Sequence, residues 1–321
     1  MDTQQVKFFQ AISQSLPEYQ NLAQNVAEVL GISTNEAYKK VRGISNLSLP
    51  QLVKLSDAFG TPFSYHPKDL ASVSFNYLYM DRQTPNMLAY LQDLLQNLKA
   101  IRQRADKHII LATDDIPIFH FFKYPELACF KLFFWADNPA VKFDEAAVSD
   151  EVVAVALELN SIYLEIPSTE IWAKDAVYGT IDQLRYAFEA GHIADKALAE
   201  KMVEQIRYCL IDMNMYAIGA KKTIDPKHSF NWYTCDVLGS LAYLVEFKES
   251  MLCYNRFNTF NYLKTDDQFY CRQTKEWMQG LIRKSVAFSG QGEKYRNKFL
   301  YTAFAACDKL IGEINKSELK F

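Results

Sequence analysis

Between residues 3 and 60 the apolar positions recur at helical spacing. Val6, Phe9, Ile12 and Leu16 make one stripe, and Leu22, Val26, Val29 and Leu30 a second. Leu49, Leu52, Leu55 and Phe59 make a further stripe. Between the last two lies a short segment, 33–42, that is polar except for Ala37, Tyr38 and Val41. The boundaries are marked by residues that start or stop helices. Pro17 ends the first helix (about 3–16), and Gly31 ends the second (about 19–30), where a left-handed residue closes the turn. Ser33 with Glu36, and Ser48 with Gln51, have the spacing of capping boxes and open the third and fourth helices. Gly43 and Gly60 close them. The pattern predicts four short helices.

From residue 61 the period changes repeatedly. The stretch 61–67 holds two prolines and reads as a domain boundary, giving domains 1–66 and 67–321. Residues 72–80 alternate as a strand does, 86–104 carry five leucines on one helical face, and 108–113 form a short apolar strand. Residues 117–135 are helical with a break at Pro125. Helices follow near 149–161, 180–190 and 194–215, a hairpin over 241–247 and 251–257, and two amphipathic helices near 266–286 and 292–315. The expected fold class is therefore multidomain: an N-terminal all-α domain followed by a larger α/β domain, with some parallel pairing in its first β-α-β unit.

Composition narrows the picture. The chain has 321 residues, 49% hydrophobic and 14% aromatic, enough for a substantial core. Its net charge is −3, and residues 1–70 hold six Lys/Arg against six Asp/Glu, so no domain is basic overall. Positive charge is concentrated locally, in Lys39, Lys40 and Arg42. The six cysteines are scattered without metal-ligand spacing, which argues against a zinc site and for reduced thiols in a cytoplasmic protein. No apolar run reaches the roughly 18 residues that span a bilayer, so no membrane partner is expected.

The segment Gly31-Ile32-Ser33, Gly43, and then Ser48-Leu49-x-x-Leu52-x-Lys54-Leu55-x-x-Ala58-Phe59-Gly60 resembles the Xre/lambda-repressor-like family of helix-turn-helix regulators, over about residues 20–64. One departure is that Lys40, not an aliphatic residue, stands three after Ala37 in the recognition helix. The resemblance implies that Thr34, Asn35, Tyr38 and Lys39 face base edges, while Lys40, Arg42 and Asn46 face phosphates. Asn35 would suit adenine and Lys39 guanine. It also implies double-stranded DNA as a partner and a homodimer whose recognition helices lie about 34 Å apart, or a multiple of that.

Four features beyond residue 66 have possible chemistry. Asp114-Asp115 at a strand end, with His120 following, suits acid–base work, or more simply a helix cap by Asp115 with Pro117 in the first turn. Ser289-Gly290-Gln291-Gly292 among cations suits a phosphate or a plain turn. Eight aromatics between Phe119 and Trp135 suit a ligand pocket, a dimer interface or a buried helix. Asn255, Arg256 and Asn258 suit a polar ligand or a solvated sheet face. His66, His192 and His228 are isolated and read as surface residues.

The resulting expectation is a non-enzymatic transcriptional regulator, free of cofactor and metal, whose second domain dimerises or senses a small-molecule effector. The alternatives are an enzyme or effector domain fused to a DNA- or protein-docking helical module, and a docking module that never meets DNA.

Overall fold

The computed structural model describes residues 3–16, 21–61, 63, 73–78, 86–136, 142–144, 147–193, 195–257 and 261–317. The chain separates into two compact units, Met1–Ser74 and Phe75–Phe321. Pro17, most of the 61–67 stretch including His66, Tyr79, Met80 and Asn258 lie outside the described residues.

The N-terminal unit holds α1 (Thr3–Ser15), α2 (Leu22–Leu30), α3 (Thr34–Val41) and α4 (Leu49–Phe59). Each of the last three begins on a side-chain cap. Asn21 accepts from the Ala23 and Gln24 amides, Ser33 from Glu36, and Ser48 from Gln51. The Ser48–Gln51 pair closes both arms of its box, while Ser33 supplies only one. Gly31 and Gly60 take φ of 67° and 59°, the left-handed conformation that ends a helix with least strain in glycine. Phe8, Phe9, Ile12, Val26, Ala27, Ala37 and Leu55 form the core. Leu49 is not part of it: in the first turn of α4 it is 72% exposed, and the inward face of that helix starts at Leu52.

The larger unit is an eight-stranded mixed sheet with helices on both faces. Its elements are β1 (Asn76–Leu78), α5 (Met87–Gln103), β2 (His108–Thr113), α6 (Ile118–Phe121), α7 (Pro125–Ala136), α8 (Asp150–Leu164), β3 (Ser168–Ala173), α9 (Ala176–Glu189) and α10 (Lys196–Gly219). There follow β4 (Phe230–Cys235), β5 (Ala242–Glu246), β6 (Met251–Phe257), β7 (Asn261–Thr265), α11 (Gln268–Arg283), β8 (Val286–Ala287) and α12 (Glu293–Lys316). Strand order is β1-β7-β6-β5-β2-β3-β4-β8. β2, β3 and β4 run parallel, joined by helical crossovers, and the other neighbours pair antiparallel.

Side chains alternate across this sheet as the pleat requires. Ile109 and Leu111 of β2 face a large helical layer, while Ile110 and Ala112 face α11 through Cys271, Met278 and Leu281. β3 is buried along its whole length, although its sequence begins Ser-Thr-Glu. All six cysteines are buried and free. No helix among the described residues is long and apolar enough to cross a membrane.

Candidate functional site

In α3, the residues Thr34, Asn35, Tyr38 and Lys39 are exposed, as are Arg42 and Asn46 beyond it. They surround a helix whose buried apolar residue, Ala37, anchors it against the core. The Arg42 guanidinium lies 4.9 Å from the centre of the Tyr38 ring, so the two present a single cationic, planar surface.

Lys40 departs from the phosphate role given to it by sequence. It is 8% exposed, and its ammonium donates to the Asn46 carbonyl at 2.8 Å. The loop carrying Asn46 is also held by Gln5, which sequence reading passed over. The Gln5 side-chain amide donates to the carbonyls of Lys40 and Ser45 at 2.7 and 2.8 Å, and its oxygen accepts from the Leu47 amide at 2.8 Å. One buried side chain of α1 thus fixes the loop after α3 and orients the helix. Lys40 closes the same loop, leaving Lys39 and Arg42 as the exposed cations of α3 and its end.

In the larger unit the strand-end pair and the histidine are separated. Asp115 accepts from buried Lys131 (2.6 Å) and from Thr180 (2.7 Å); Lys131 also donates to Gln183. Asp115 is therefore not the helix cap: Pro117 precedes α6, and no side chain caps it. Asp114 pairs with Arg256 at 2.9 Å, and Asn255 donates to Tyr270. His120 lies away from both aspartates, in the core, with Nε2 2.9 Å from Oε1 of Glu170.

Glu170 is the centre of a buried polar cluster. It is fully buried, and it accepts from the Tyr163 hydroxyl at 2.6 Å, from Trp172 Nε1 at 2.9 Å and from His120. Burial alone would raise its pKa, but the His120 contact, the Tyr163 hydrogen bond and Lys222 together hold it below the usual carboxylate range. A buried carboxylate with three donors is satisfied within the fold. These features support a structural role for the cluster.

Lys222 belongs to the same cluster. Its ammonium donates to the Tyr163 carbonyl at 2.7 Å and sits 3.9 Å from the centre of that ring. Burial lowers its pKa from an ordinary 10.5 to about 7, with Glu170 opposing. Between those values the unfolded chain binds the additional proton, so this group adds stability as pH rises. Its contribution is complete above about pH 10.5 and is lost as pH falls towards about 7. Urea unfolding of the wild type is expected to strengthen from pH 7 to 9 relative to Lys222→Met, by at most about 1.4 kcal/mol per pH unit. Equal pH slopes in the two proteins would contradict this assignment.

The Ser289–Gly292 stretch is a turn. The Gly290 amide donates to the Ala217 carbonyl, and Arg296 is occupied by Asn214 and the Phe288 carbonyl. A Cβ at Gly292 would lie 2.0 Å from the Ala287 oxygen, so close backbone approach accounts for that glycine. His192 and His228 are half-buried, and His228 bonds Thr223.

The aromatic segment 117–135 packs mostly into the core of the larger unit, so it is not a free dimer surface. Phe119 and Phe122 instead contribute to a cavity of about 270 Å³ between α5 and the sheet, whose other walls include Tyr90, Leu94, Tyr243, Tyr254 and Tyr262. Asp93 and Tyr77 are exposed residues of its lining. A held water needs about two to four polar partners, which these largely carbon walls supply poorly. Among the described residues no group of three or more His, Cys, Asp or Glu side chains is placed to hold a metal ion.

Comparison of the chain with known proteins finds no matching family model, no matching curated protein and no matching solved structure.

Proposed function

We propose that the chain is a sequence-specific DNA-binding transcriptional regulator, in which α3 enters the major groove and the larger unit dimerises and senses a small molecule. The observation carrying this reading is the exposure, on one short capped helix and its end, of Thr34, Asn35, Tyr38, Lys39 and Arg42. Thr34, Asn35 and Tyr38 can read base edges; with Lys40 turned inward, Lys39 takes its place beside Arg42 and Asn46 as a phosphate contact in this reading. Selecting duplexes from a random-sequence pool with the full chain tests it. Enrichment of a defined motif is expected, and a pool that stays random after repeated rounds contradicts specificity.

A homodimer is part of this reading, with its surface on α10. Tyr208, Ile211, Met215 and Ile218 are 47 to 61% exposed, and their spacing of three, four and three places them in one stripe. The same helix buries Met202, Ile206, Leu210 and Met213 on its inner side. The charges beside the stripe are already paired, Arg207 with Asp308 and Asp212 with Lys123. A stripe of this kind is self-complementary about a two-fold axis, which is the usual geometry of a dimer interface. Ile211→Asp combined with Met215→Asp is expected to convert a dimer into a folded monomer, read by light scattering at micromolar concentration with circular dichroism as control. A wild type that is already monomeric, or a variant that remains dimeric, contradicts the assignment.

A further inference from the structure

We infer that the cavity between α5 and the β5–β6–β7 face binds a small, neutral, aromatic molecule carrying one hydroxyl or similar hydrogen-bonding group. The inference deepens the sensory role proposed for the larger unit and rests on that reading for its biological meaning, although binding itself requires no DNA.

Size sets the first limit. At about 270 Å³ the cavity has room for a two-ring molecule and is smaller than most drug-sized pockets. Shape sets the second. Tyr243, Tyr254 and Tyr262 come from three adjacent strands, while Phe119 and Phe122 approach from the end of α6. Rings arranged on two sides favour a flat guest, which can stack on one and meet another edge-on.

Charge selects a neutral guest. Asp93 is the acidic group of the lining and faces solvent. Lys264 lies 5.6 Å from the centre of the Tyr254 ring and is held by Asn97 at 3.4 Å, so opposite charges flank the cavity. Neither sign prevails, and an unpaired charge among these carbon walls would lose its hydration without a partner. The hydroxyl preference comes from Tyr254. The Tyr243 and Tyr262 rings meet edge-on with centres 5.5 Å apart, and the Tyr254 hydroxyl has no hydrogen-bond partner among the described residues. A guest hydroxyl would supply one.

The test is calorimetric titration of the full chain, without DNA, using 2-naphthol as probe. Saturable one-site binding in the micromolar range is expected, with 2-naphthoate and the 2-naphthylmethyl ammonium ion at least tenfold weaker. Leu94→Trp, which extends from α5 into the cavity, should weaken 2-naphthol at least tenfold. Tyr254→Phe removes a single oxygen and should weaken 2-naphthol about threefold to tenfold while leaving naphthalene unchanged, so the test holds even if the tryptophan variant misfolds. Absence of saturation, equal binding of either charged analogue, or unaltered 2-naphthol affinity in Tyr254→Phe would overturn the proposal. Probe binding by a chain that ignores DNA would keep this site and remove the regulator reading; the reverse result would do the opposite.

Discussion

Replacing Glu170 with alanine is expected to destabilise the larger unit by about 3–5 kcal/mol, the usual cost of removing one partner from a buried charged cluster. The loss extends beyond the carboxylate. His120 Nε2, the Tyr163 hydroxyl and Trp172 Nε1 would all lose their acceptor inside the core. Lys222 would lose the negative charge that supports its protonated form. For a unit of this size each kcal/mol moves the melting point by about 2–4 °C, so a fall of roughly 6–20 °C is expected. Glu170→Gln should recover only part of this, because its amide NH₂ is a donor set among donors. The pH dependence has a definite sign. The folded carboxyl titrates below its unfolded value, so its contribution is complete above about pH 4.5 and is lost as pH falls through the lower folded value. Thermal and urea unfolding provide the check, and a Glu170→Ala protein within about 1 kcal/mol of wild type contradicts the structural role.

Reversing the charges of Lys39 and Arg42 together, as Lys39→Glu with Arg42→Glu, is expected to weaken DNA binding roughly 100-fold at physiological salt, taking about tenfold for each reversed charge. Both side chains are exposed and neither is needed by the core. Lys40→Met should behave differently despite its position between them. Its ammonium is committed to the Asn46 carbonyl, so the variant is expected to loosen the α3–α4 loop and lower the stability of the N-terminal unit. Asn35→Ala should relax preference at one base position, at a cost of about 1–3 kcal/mol if that contact is bidentate. Binding by fluorescence anisotropy separates these outcomes. Equal losses in Lys39→Glu and Lys40→Met would contradict the inward role of Lys40.

What could be read from sequence follows the range of the interactions involved. Helices α2, α3 and α4 are bounded by Asn21, Ser33, Ser48, Gly31 and Gly60, whose effects operate within a few residues, and β2 is an apolar run between polar ends. The interior strand β3 was not legible. Ser168, Thr169 and Glu170 look like a loop until His120, fifty residues earlier, and Tyr163 satisfy the glutamate. The inward direction of Lys40 has a local signal, its place three after Ala37 on the buried face of α3, whereas the Gln5 bonds that hold the loop beside it span thirty-five residues and more. The aromatic run 117–135 was visible as a cluster, but whether it faced core or partner depended on the whole sheet. The α10 stripe has a local signal: apolar residues at 208, 211, 215 and 218, opposite an equally apolar inner face.

The most direct test of the central claim is salt-titrated binding of the full chain to duplex DNA, for the wild type and the Lys39→Glu/Arg42→Glu double variant. The account predicts that the logarithm of the wild-type association constant falls linearly with the logarithm of salt concentration, and that the slope shrinks by about 2 in the variant, near 0.9 for each lost phosphate contact. Identical affinity and slope in the two proteins, or no wild-type binding even at low salt, would contradict it.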